Sequence, residues 1–187
     1  MAASPVCGCW ASPISAVQSI ALADLNKLDA ASAGVIFGGF CGSFAWGSGM
    51  VAARPFASLK NLLATAEAVW LGLGRKDWLQ AFGAHPEIGD MQSLRDKFGG
   101  ATLAAGEQAG VSRAPKAVLA ELAQGNSAYM QRFGYIFIVF ATGKSAWEML
   151  SLLHGRLSNE PDIELPIAAG EQLKITLLRL SQMIHAG

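Results

Sequence analysis

The residues of this chain best suited to proton chemistry lie in "DWLQAFGAHPEIGD", Asp77–Asp90. A helix reads up to Phe82 and Gly83 supplies its stop. His85 follows at once, with Pro86 behind it and Glu87 and Asp90 close in sequence. The residue before a proline is driven out of the helical region, so this dipeptide holds His85 extended. A helix C-terminus favours a cationic imidazole, and neighbouring carboxylates add to that preference. A histidine kept protonated near neutral pH is a general acid. The same residues also describe an ordinary polar loop after a helix, with His85 on the surface.

A second candidate is Glu107-Gln108 in "LAAGEQAG", a small-residue stretch with helical character. Ala104 and Gly106 leave open space around the carboxylate, as a ligand site would want, although an exposed helical Glu-Gln pair reads the same way. Glu171-Gln172 repeats the dipeptide and shows how readily it arises. His154 and His185 sit on amphipathic helices without neighbouring ligands and read as structural or solvent-facing. The "CGC" of Cys7 and Cys9 lacks further ligands at zinc spacing, and Cys41 stands apart, so no metal is expected and a reducing compartment fits. There is no G-x-S-x-G elbow, H-E-x-x-H, Walker loop or dinucleotide fingerprint; "GLG" at Gly72–Gly74 is a turn.

The elements that must hold these residues read as helices. "ASLKNLLATAEAVWLGL" sets Leu59, Leu62, Leu63, Ala66, Val69, Trp70 and Leu73 on one stripe, with Pro55 just ahead. "RKDWLQAF" is a short helix with Trp78, Leu79 and Phe82 inward, and Gly99-Gly100 punctuates a polar connection. "PKAVLAELAQGNSAYMQRFG" runs from Pro115 to a stop at Gly134, and its apolar face carries Asn126, whose amide needs a partner. "SAWEMLSLLHGRL" and "AAGEQLKITLLRLSQMIHA" are two more helices, the last striped by Leu173, Leu177, Leu180 and Ile184. "YIFIVFA", Tyr135–Ala141, has a strand's composition but no pairing partner, and reads as a buried helix or an extended connector.

The 187 residues suffice for one domain with a sizeable core. Residues 1–15, rich in Ala, Ser, Pro and Cys, read as a flexible tail, and 16–187 as the domain. Fourteen basic and fourteen acidic residues balance, which excludes a nucleic-acid footprint. Residues 1–23 are uncharged, so a secretory signal's positive start is missing, as are a transit peptide's arginines. Residues 30–53 are uncharged too and contain Gly38-x-x-x-Gly42, but six of them are glycine. Such a run is weakly driven into lipid, so buried helices are expected and no membrane partner. The chain closes on "HAG", which is not a peroxisomal tripeptide, leaving peroxisome and cytosol both open.

Five strings, in order, closely resemble the 2-oxo-4-hydroxy-4-carboxy-5-ureidoimidazoline (OHCU) decarboxylases of urate breakdown, most of all the plant and algal type. They are "CGSFAWGSGMVAARPFASLKNLL", "DWLQAFGAHPEIGD", "GEQAG", "NSAYMQRFGYIFIVFATGKSAWEML" and "ELPIAAGEQLKITLLRL". The resemblance covers roughly residues 22 to 184. It implies an all-α, single-domain multi-helix bundle, commonly a homodimer. It further implies a carboxy-lyase of purine catabolism that makes (S)-allantoin without a cofactor, in the peroxisome or the cytoplasm. Plant-type relatives can be fused to a transthyretin-like hydroxyisourate hydrolase downstream, and the resemblance implies a functional link between this chain and such a hydrolase.

By the same resemblance the catalytic histidine falls on His85, with Pro86 beside it lining the substrate. The family's S-x-x-E-Q element falls on Ala104 to Gln108, so Glu107 takes the acidic position, Gln108 the amide one, and Gly106 lies between. Ile138, Val139, Phe140, Ala141 and Thr142 would wall the pocket with backbone groups. Two positions depart from the pattern: Ala104 replaces a serine, and Lys144 replaces an arginine, keeping charge but losing the bidentate fork. Two other readings stand beside this one. A non-catalytic helical binding module would use the 30–53 region as its surface, and a metal-dependent ureide hydrolase would need an activated water.

Overall fold

The computed structural model describes residues 19–85 and 116–186. The expected tail at 1–15, Pro86, and the whole 104–108 element with Glu107 and Gln108 lie outside these residues. Among the described residues there are eight helices and one pair of two-residue strands, so the all-α expectation holds. They form two compact units. One runs to Ala84 and resumes at Leu173; the other runs from His85 to Gln172.

In the first unit, β1 (Ile20–Ala21) pairs in parallel with β2 (Ile184–His185), Ile20 opposite Ile184. Five helices follow β1: α1 (Leu22–Lys27), α2 (Ala30–Cys41), α3 (Phe44–Ala52), α4 (Leu59–Leu71) and α5 (Arg75–Gly83). The side chains of Asp29, Ser43 and Ser58 cap the starts of α2, α3 and α4, each accepting a bond from a backbone N–H of the first turn. The uncharged 30–53 run thus becomes two helices, divided at Gly42, whose φ of +80° terminates α2. No helix among the described residues is long and apolar enough to cross a membrane. The glycine spacing serves the cap instead, with Gly42 N–H donating to Gly38 O at 3.0 Å.

Phe37, Phe40, Trp46, Met50, Leu62 and Trp70 form this unit's core. Trp46 stands edge-on to Phe37 at 6.0 Å and donates its indole N–H to Ala66 O at 3.0 Å. Arg54 donates to the carbonyls of Leu25 and Leu28 at 2.9 and 2.6 Å, satisfying the open end of α1. Of the stripe expected on α4, Leu62, Ala66 and Trp70 are the buried members.

The second unit contains α6 (Lys116–Phe133), α7 (Ala146–Leu157) and the residues of α8 (Pro161–Met183) up to Gln172. Gly134, at φ +79°, ends α6 with its N–H on Met130 O at 2.9 Å. α6 packs against α7, and their approach at Gly125 is so close that an added Cβ would lie 2.5 Å from Leu153 Cδ2. Asn126 is 9% exposed; its Nδ2 donates to Leu122 O at 3.0 Å, while Oδ1 has no bonded partner among the described residues. α7 starts with a capping box, Ser145 Oγ accepting from Glu148 N–H and Glu148 accepting from Ser145 N–H.

Two boundaries differ from the sequence reading. α8 begins at Pro161 rather than Ala168, because Pro161 fits a first turn and Pro166 removes only one backbone bond near the exposed start. Its expected last turn is instead the strand β2, which buries Ile184 by pairing with β1. The run Tyr135–Ala141 is an irregular connector, neither helix nor strand.

Candidate active site

α5 ends at Gly83, which is still helical, and Ala84 closes it with φ −82°, so the stop does not use a glycine's conformational freedom. His85 follows in a bend and is half-buried. Its Nε2 lies 2.5 Å from Oε1 of Gln172, a residue with 0% exposure. A ring N–H donating to a buried amide oxygen fixes both the plane and the direction of the imidazole.

The connector beyond α6 is the second component of this unit. Tyr135, Phe137, Ile138 and Val139 are buried, Phe140 and Ala141 half-buried, and Thr142 exposed. Its backbone is tied down from three directions. Phe140 N–H donates to Glu171 Oε2 at 2.7 Å. Lys144 Nζ donates to Phe140 O at 2.7 Å and lies 5.4 Å from the Phe140 ring centre. Arg156 Nη1 donates to Ile138 O at 2.8 Å.

Arg156 belongs to a buried polar network. Its Nε and Nη2 reach Glu164 Oε1 at 2.7 and 2.5 Å. Tyr129 O–H donates to the same carboxylate, and Asn159 Nδ2 donates to its Oε2 at 2.6 Å. The guanidinium also lies 4.6 Å from the Phe137 ring centre. Burial, followed by the bond to Glu164, pushes the Tyr129 phenol far above its ordinary range, so it stays a donor. Glu164, at 0% exposure, is thereby held by donors from three side chains, which a buried carboxylate requires.

Of the residues expected from sequence, His85 and Ile138–Thr142 fall in this unit, while Pro86, Ala104, Gly106, Glu107 and Gln108 lie outside the described residues. Sequence reasoning passed over Glu171 and Gln172 as a chance repeat. The missed signal is the periodicity that flagged Asn126: Leu165, Ala168 and Gln172 recur at three and four and are all buried.

A largely helical chain with a half-buried histidine and an irregular apolar connector falls in the class of all-α proteins. The family profile for OHCU decarboxylase matches residues 26–181, and the chain belongs to that family. It is 39% identical over 145 residues to the uric acid degradation bifunctional protein TTL of Arabidopsis thaliana, covering 76% of this chain and 44% of that protein. Against the uric acid degradation bifunctional protein PucL of Bacillus subtilis it is 26% identical over 162 residues, covering 86% of this chain and 32% of that one. The chain thus spans less than half the length of these two relatives. The crystal structure of an OHCU decarboxylase in the presence of (S)-allantoin superposes with a TM-score of 0.65 at 36% identity, covering 79% of this chain and 95% of that one.

Proposed function

We propose that this chain decarboxylates OHCU to (S)-allantoin in urate breakdown, without a cofactor, and that His85 is the stereospecific proton donor. The observation that carries this reading is the match across 95% of an OHCU decarboxylase determined in the presence of (S)-allantoin. The substrate contains its own electron sink, a C=N group beside the carbon that bears the carboxylate, which is the service a cofactor would otherwise provide. The bond from that carbon to the carboxylate breaks, carbon dioxide leaves, and the electron pair passes towards the C=N nitrogen. The resulting planar enol takes a proton on its second carbon, the nitrogen takes another, and the hydroxyl releases one as it becomes a carbonyl. The net uptake is one proton per turnover.

In water that protonation has no preferred face and gives a racemate. His85, gripped through Nε2 by Gln172, delivers hydrogen to one side. Pro86 and Glu107 complete the donor's surroundings, Glu107 and Gln108 orient the hydroxyl and ureido groups, and Ala104, Gly106 and the backbone of Ile138–Thr142 line the pocket. Supporting this wall role, Arg156, Glu171 and Lys144 hold the connector's backbone in one conformation.

The chain further acts beside a hydroxyisourate hydrolase and as a homodimer, in the peroxisome or the cytoplasm. The bifunctional uric acid degradation relatives support the first link. The test generates the intermediate from urate with purified uricase and hydrolase and follows optical rotation. A one-handed product formed faster than spontaneous decay is expected; a racemate at the spontaneous rate overturns the proposal.

A further inference from the structure

We infer that Glu171 and Gln172, neighbours on α8, are positioning residues: Gln172 sets the His85 imidazole while Glu171 sets the backbone of the 138–142 wall. The inference rests on the proposed decarboxylation and adds to it the means by which donor and wall are kept in register.

Consecutive helical residues project about 100° apart around the axis, so one turn of helix can serve two partners on different sides. Gln172 reaches His85 and Glu171 reaches Phe140 N–H. Both bonds end on groups that stand outside regular secondary structure. His85 stands in a bend past the end of α5, and the Tyr135–Ala141 connector has no helical or strand ladder to hold its amides. A primary amide and a carboxylate are the appropriate side chains. The carbonyl of Gln172 accepts from an N–H of the ring without adding charge beside it, and the carboxylate of Glu171 makes a charge-assisted bond to a main-chain donor.

Helix α8 is itself anchored in this unit through Glu164, two turns before Glu171, where Arg156 binds both that carboxylate and the Ile138 carbonyl. One helix therefore touches the wall at Ile138, through Arg156, and at Phe140, through Glu171, and touches the donor through Gln172. A displacement of about 1 Å between donor and substrate is enough to slow a proton transfer by about a hundredfold.

The inference is tested with Gln172→Leu and Gln172→Glu, and with Glu171→Ala and Glu171→Gln, in the full chain. For Gln172→Leu, kcat should fall about tenfold or more and the product should lose optical purity, with KM within about twofold of the parent. Gln172→Glu keeps an acceptor and should recover part of both losses. Glu171→Ala should raise KM about tenfold, and Glu171→Gln should reverse most of that. A purely structural role would lower the melting temperature and the active fraction together, with no rescue by the conservative variant. That pattern, or a Gln172→Leu protein with unchanged kcat and optical purity, overturns the inference.

Ring-nitrogen NMR of His85 adds a readout that needs no turnover: Gln172→Leu should shift the Nε2 resonance, and an unshifted signal also overturns the inference. A parent protein that yields only racemate instead defeats the proposed function, while the NMR result still judges the contact.

Discussion

His85 illustrates what a residue's type and neighbours reveal and what they conceal. Its place just past the end of α5 was legible from the local sequence, although the helix closes at Ala84 and not by the glycine stop read at Gly83. Its partner Gln172 was not, because a contact across 87 residues leaves no local trace. Replacing His85 with Asn removes the titratable group while keeping a similar volume and an amide able to bond. General acid catalysis contributes about 10²–10⁴-fold, so stereoselective turnover should fall by about that factor at unchanged melting temperature. An Asn variant that still gives optically pure product at the parent rate would dismiss His85 as the donor. Arg156 tests a different kind of residue. Arg156→Met strands the buried Glu164 carboxylate and should cost about 3–5 kcal/mol by urea denaturation. Adding Glu164→Leu removes the stranded charge and should restore most of that stability. KM should stay raised in the double variant, since Ile138 O still lacks its donor.

The helices α4 to α7 were legible from their apolar period. The caps that start two of them, Ser58 before α4 and Ser145 with Glu148 before α7, went unread although they act within four residues of where they stand. The start of α8 was not legible, because Pro166 within "ELPI" reads as a breaker until the surrounding packing is known. The apolar connector escaped a single reading for a related reason: its β-branched and aromatic residues are selected for burial, and its backbone bonds go to Glu171, Lys144 and Arg156 instead of a sheet. Gly42 shows how one element's end constrains another. An Ala there must adopt φ near +80°, and its Cβ would lie 2.4 Å from Ala84 Cβ, the residue before His85. The conformation alone costs about 1–2 kcal/mol. Gly42→Ala should therefore melt earlier and turn over more slowly. Ala84→Gly in the same chain should recover the part due to the clash and leave the part due to φ, a split that calorimetry of the single and double variants measures. Full recovery would mean that the left-handed conformation carries no cost.

At the scale of the whole molecule, the balanced charge and low charged fraction leave stability to buried groups, and one of these makes it pH-dependent. Cys41 is buried at the end of α2, and burial pushes its thiol up from 9.0 to about 11, the bonds from Ser43 and Thr176 and the nearby Arg179 charge only partly opposing the shift. Below pH 9 the thiol is protonated in folded and unfolded chains alike, and its contribution is fully present. Between about 9 and about 11 the unfolded chain releases a proton that the folded chain keeps, so the unfolded state gains and stability falls. A shift of this size corresponds to about 2–3 kcal/mol lost across that window. Urea denaturation at about pH 8 and about pH 10.5 measures it, with Cys41→Ala as the reference, since every other titrating group is common to both proteins. The parent should lose more stability over the interval than the variant. Equal losses would mean that this thiol ionises as readily in the folded protein as in the open chain, and that burial at the end of α2 does not exclude water from it.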